Sequence, residues 1–149
     1  MSKRYSRRWA RLPDERGQVL VWTLVLLPLL LVVVGLVLDG GLLFVQFRRA
    51  RWAADGAAVA AASSIDPALY ARTGRVTLDN VAIAAAMHYA QLNDADLHLT
   101  SVYVQANTIR VQGMVALHPT FLSLFGIGSV PVHVTGEETP NWGIATPGQ

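Results

Sequence analysis

Few side chains in this sequence are spaced for chemistry. His88, His98, His118 and His133 fall in separate segments, and no two have the spacing that would let one element hold a metal ion. Cysteine is absent, which removes thiolate ligands, disulfides and thiol nucleophiles together. There is no Gly-x-Ser-x-Gly, no phosphate-binding loop and no glycine-rich cradle. Carboxylates are sparse, and Glu137-Glu138 stands near the C-terminal end. No catalytic residue, cofactor, metal or small-molecule substrate is expected, and the protein reads as a non-enzyme. The spacings that remain concern packing. Ala50, Ala54, Ala58 and Ala62 recur every fourth residue, as do Ala53, Ala57 and Ala61. Small side chains at that interval let a helix backbone approach a neighbour closely. The neighbour is either another subunit's helix or the chain's own sheet. Asp55 follows Arg51 by one helical turn, a pairing worth a few tenths of a kcal/mol. Asp39 ends an apolar run, and has two readings: a residue marking where a helix leaves lipid, or a polar contact to a neighbouring subunit's helix.

The element that must position these residues is a long helix. Residues 19–38 carry no charge and form a Val/Leu series interrupted by Thr23, Pro28 and Gly35, with Trp22 near its start. Twenty residues at about 1.5 Å each span the roughly 30 Å hydrocarbon core of a bilayer. The run is longer than the apolar region of a cleaved leader and ends in Asp39-Gly40-Gly41, without a small-x-small site. Before it stand Lys3, Arg4, Arg7, Arg8, Arg11 and Arg16 against Asp14 and Glu15. After it come Arg48, Arg49 and Arg51. That imbalance places the N-terminus in the cytoplasm and the remainder outside. The basic excess is thus a topology signal, and no recognition element points to nucleic acid. From Gly41 to Ser63 the sequence stays helix-compatible and becomes alanine-rich. Pro67 then ends it, giving a helix of roughly 45 residues with bends expected at Pro28 and Gly40-Gly41.

A small domain should follow. Residues 66–75 read as a loop with Gly74 as its turn residue. A second helix is expected from about Leu78 to Leu92 after a Thr77 cap, with Leu78, Val81, Ala82, Ala85, Tyr89 and Leu92 on its buried face. The period then changes to two. His98 to Val104 reads as a strand with a bulge near Thr100-Ser101, and Ala106-Asn107 as a turn. Ile109, Val111, Gly113, Val115 and Leu117 form the inner side of a second strand. Pro119 leads into a short helix, residues 120–125, ended by Gly126. Val130, Val132 and Val134 form a third strand, with Pro131 implying an edge. The fold class is therefore α+β and pilin-like: a long N-terminal transmembrane helix, then a small helix and a three-stranded antiparallel sheet as a head. The divisions are a basic cytoplasmic segment (1–17), a transmembrane helix (18–39), an alanine-rich exported extension (40–63), the head (64–138) and a disordered tail (139–149).

One stretch carries a recognisable pattern. Glu15-Arg16-Gly17-Gln18 precedes the apolar run, Pro28 lies within it, and Asp39-Gly40-Gly41 closes it. Arg48-Arg49 follows, then Ala53-Ala54-Asp55-Gly56-Ala57-Ala58-Val59-Ala60-Ala61-Ala62. In this order the pieces resemble the N-terminal region of the TadE/TadG-like family of bacterial tight-adherence (Flp-type) pilus assembly systems. The chain departs from it at Ala50-Arg51, where leucine-glutamine is usual. Trp22 stands at the fifth position after Gly17, where prepilin-like relatives carry glutamate, which favours the TadG-like side. Larger TadG-like proteins also carry a von Willebrand-type domain, which is not expected within these 149 residues.

The resemblance implies a structural component of a Tad/Flp-type pilus assembly or secretion system, single-pass in the inner or plasma membrane. Its partners would be the membrane and other pilus subunits, reached through the N-terminal helix. Gly17-Gln18 is then a possible processing site. Asp39, Gly41, Ala54, Asp55, Ala58 and Ala62 become the candidate assembly and helix-packing residues. The alternative is a signal-anchored extracytoplasmic binding module unrelated to pili.

Overall fold

The computed structural model describes residues 15–140, with side chains from Gly17 onward. The basic segment 1–14 and the tail 141–149 lie outside the described residues. Helix α1 runs continuously from Glu15–Ser63, 49 residues with Pro28 inside it. Its first half is apolar on every side and its second half is dominated by alanine, the strongest helix former. Ser64 donates its N–H to Ala61 O at 3.1 Å, tightening the last turn.

Residues 66–75 are not the plain loop that the sequence suggested. Asp66 caps a seven-residue helix, α2 (Pro67–Thr73), accepting the N–H groups of Ala68 and Leu69. Pro67 fits its first turn, and Gly74 closes it in the left-handed conformation. An acidic cap followed by proline is a known start signal. Helix α3 (Asn80–Asn93) begins later than expected, because Asp79 and not Thr77 is the cap, accepting the Ala82 N–H at 2.8 Å. The buried face also differs. Ala82, Ala86 and Ala90 face the core, while Val81 and Leu92 are 65% and 71% exposed. The helix comes close enough to α1 that only its smallest side chains fit between the two, and Gly56 lies under the Tyr89 ring.

The sheet is antiparallel in the order β1-β2-β3, with β1 at Leu97–Gln105, β2 at Thr108–Leu117 and β3 at Val130–Glu138. The expected bulge is present as a register shift between Leu99 and Ser101. Ala106 and Asn107 form the turn with φ of 51° and 63°. Asn107 also ties this turn to the α2 exit, donating to Gly74 O and accepting the Val76 N–H. Ile109, Val111, Gly113, Val115 and Leu117 are all buried, as their alternation predicted. Pro131 lies in β3, an edge strand, which continues to Glu138 beyond the expected end. Between β2 and β3 a 3-10 turn at Leu122–Phe125 ends at Gly126, φ 83°.

The head rests against the second half of α1, which packs on α3, β3 and β2. Gly136 is what permits this closeness: a Cβ there would overlap the Ala54 backbone. The architecture is thus a long N-terminal apolar helix followed by small helices and a three-stranded antiparallel sheet, an α+β fold of pilin-like plan.

Candidate functional site

The residues of α1 that face the head form one stripe, and it begins inside the apolar half. Gly35 and Asp39 are buried, Leu43, Gln46 and Phe47 are half-buried, and Ala50 is buried again. Successive members lie three or four residues apart, one face of a helix. Against the lower part of this stripe lies the segment joining β2 to β3. The Asp39 carboxylate accepts the backbone N–H groups of Thr120 at 2.8 Å, Phe121 at 2.9 Å and Leu122 at 2.6 Å. One turn toward the N-terminus, the Phe121 ring lies over Gly35, where a Cβ would meet it at 3.0 Å. About two turns the other way, Gln46 makes a paired contact with His118. Its Oε1 accepts the His118 N–H at 2.9 Å, and its Nε2 donates to His118 O at 3.1 Å.

Asp39 is 0% exposed. A carboxylate of that kind is tolerated only when its lone pairs are satisfied, and three aligned amides do so. The Asp39 side chain therefore faces inward and holds the chain's own β2–β3 segment, and is not presented to a neighbouring subunit. The sequence signal for this was a charge and an amide, Asp39 and Gln46, seven positions apart and hence on one helical face. Their partners lie 72 to 83 positions away and carry no motif.

Among the other candidates, Ala54, Ala58 and Ala62 are buried with Ala50, Ala53, Ala57 and Ala61 against the sheet and α3. Of the two packing roles, this is the intramolecular one. Asp55 meets Arg51 at 4.0 Å as an exposed pair. Gly41 is exposed and has nothing within 4 Å of a notional Cβ. Gly17 and Gln18 lie exposed in the first turns of α1. The far side of α1 presents Phe44, Arg48, Trp52 and Val59 outward. The Arg48 guanidinium stands 4.5 Å from the Trp52 ring centroid and 5.8 Å from that of Phe44, a cation–π arrangement.

The histidines remain dispersed, on α3, on β1, after β2 and on β3. Among the described residues no three potential ligands gather as a metal site. A polar cleft of about 490 Å³ lies between α1 and β3, lined by Phe47, Arg51, Asp55, His133, Thr135 and Glu137. Glu137 pairs with Arg110 at 3.3 Å.

Helix α1 is the one helix, among the described residues, long and apolar enough to cross a membrane. That fits a membrane-anchored protein. No curated protein and no solved structure matches the chain. A family model does, over residues 17–64 of the 149, under the description "Putative Flp pilus-assembly TadE/G-like". The match begins and ends within a residue or two of the long helix, and over that segment the chain is similar to the TadE/TadG-like family, as its motifs indicated.

Proposed function

We propose that the protein is a membrane-anchored structural subunit of a Tad/Flp-type pilus assembly or secretion system, minor pilin-like or TadG-like. In this reading its N-terminus is cytoplasmic and its head extracytoplasmic. The observation that carries the proposal is the coincidence of the family match, residues 17–64, with the membrane-length helix. The family match supports a pilus assembly role. The finer assignment rests on the helix, on the charge bias before it, and on a head docked along its distal half. The work done is packing and insertion, with no chemical step.

The test is recovery of the tagged full chain from native membranes, with crosslinked partners and the N-terminal residue both read by mass spectrometry. Pilus ATPase, platform or pilin partners support the proposal. A start at Gln18 assigns the protein to the filament after prepilin-type processing, and retention of residues 1–17 makes it a permanent anchor. Recovery of an extracytoplasmic ligand alone favours a binding module and sinks the pilus assignment.

A further inference from the structure

We propose that the tip between β2 and β3, Phe121 to Val130, is a second membrane-contacting element that inserts into the outer leaflet beside the α1 span. The inference rests on the membrane-anchored reading and extends it to the head. Leu124 and Phe125 are 79% and 70% exposed, and Phe121, Ile127 and Val130 are also exposed in part. From Pro119 to Val132 the tip carries no charged residue.

Position decides the occupant. Phe121 packs on Gly35 and the Thr120–Leu122 amides bond to Asp39, so the tip lies beside residues of the apolar run. Because Asp39 faces inward, the outward surface of α1 stays apolar past it, through Leu42, Phe44 and Val45, and the next outward charge is Arg48. From Gly35 to Arg48 is about thirteen residues, roughly 20 Å along the helix. The tip therefore reaches below the level at which α1 first shows a charge to its surroundings. His118, beside Gln46, and His133, beside Arg51, stand at that upper level. Arg48 and Trp52 are the residue types that settle at a membrane interface.

The backbone of the tip is also prepared for a medium without water. Irregular backbone at membrane depth requires its polar groups to be met by protein. His118 donates to Gln46, and Thr120, Phe121 and Leu122 donate to Asp39. Leu124 donates to Phe121 O, Gly126 to Ser123 O and Ile127 to Leu122 O. Pro119 has no N–H, and the Ser123 hydroxyl donates to Thr120 O at 2.6 Å. Internal bonds thus meet most of the backbone donors from His118 to Ile127.

The natural chain lacks cysteine, so single-cysteine variants of the full chain can carry a nitroxide. Phe125→Cys is the test variant, with Leu124→Cys as a second and Leu30→Cys and Gln91→Cys as references for lipid and water. Each is reconstituted at high lipid excess in phosphatidylcholine–phosphatidylglycerol vesicles. Collision with oxygen and with a water-soluble nickel chelate on both sides is then read by paramagnetic resonance. Insertion predicts that positions 125 and 124 lose nickel access and keep oxygen access, as position 30 does. Nickel access at 125 and 124 equal to that at 91, with 30 protected, overturns the insertion and leaves the anchor standing. Nickel access at 30 as well overturns the anchor itself. Exclusion of both reagents at 125 means burial against a second protein chain, and likewise overturns lipid insertion.

Discussion

Asp39 and Leu122 stand 83 positions apart in the chain, and the Asp39 Oδ2 accepts the Leu122 N–H at 2.6 Å, while Oδ1 serves Thr120 and Phe121. One carboxylate thus fixes the turn that joins two strands to the long apolar helix. Charged residues within apolar segments almost always face protein and find partners there. Asp39→Asn keeps the size but replaces one acceptor oxygen with an amino group directed at backbone donors. The expected outcome, by hydrogen exchange on the full chain in lipid, is loss of protection at residues 120–122 with β1 and β2 unchanged. Unaltered exchange at 120–122 sinks this role.

Gly136 and Ala54 define the closest approach of sheet and helix. A methyl group at 136 meets the backbone carbonyl of Ala54, which cannot rotate away as a side chain could. Gly136→Ala is expected to destabilise the head by about 1–3 kcal/mol, the usual cost of overpacking. Gly41→Ala adds a methyl group in open space and should be neutral or slightly stabilising, since alanine favours helix. Denaturant unfolding of both variants checks the contrast, and equal stabilities would contradict the proposed packing.

The Arg51–Asp55 pair is long at 4.0 Å and solvent-exposed on both sides. Such pairs contribute little, because water screens them and ordering two side chains costs entropy. Asp55→Asn should change stability by less than about 0.5 kcal/mol. A larger loss in thermal unfolding would mean that Asp55 has a second partner in the assembled state.

What the sequence made legible was local. The apolar run, the alanine tract, the alternation from Ile109 to Leu117 and the turn at Ala106-Asn107 each announce their element through spacing within a dozen residues. Asp66-Pro67 announces α2 in the same way, as a cap followed by proline, although the glycine and proline that bound the segment also suit a loop. The face of α3 departs from the hydrophobic pattern because hydrophobicity favours Val81 and Leu92, whereas distance to α1 favours Ala82, Ala86 and Ala90. Large apolar side chains lose to alanine where two backbones nearly touch. The Asp39 junction was illegible for another reason. Its acceptors are met by backbone amides, which every residue has, so no side-chain pattern near Thr120 could reveal them.

If the protein assembles through its N-terminal helix, as proposed, and the head keeps its place, the outward face of α1 carries the contact. Ala54 and Ala58 are fully buried under the sheet and α3, so a neighbouring helix cannot reach them without displacing the head. Trp52 is 62% exposed, stacked with Arg48, and Val59 lies on the same outward side. The two faces should therefore separate by phenotype. Ala58→Leu should destabilise the isolated chain, with a cost again of about 1–3 kcal/mol for overpacking. Trp52→Ala removes a large exposed side chain and should leave unfolding of the head unchanged while weakening association with partner subunits. Crosslinking yield in native membranes, compared with thermal unfolding of the purified protein, distinguishes the two. If Trp52→Ala assembles normally and a mild Ala58→Ser change abolishes assembly without lowering stability, the contact lies on the alanine face and the head must move to make it.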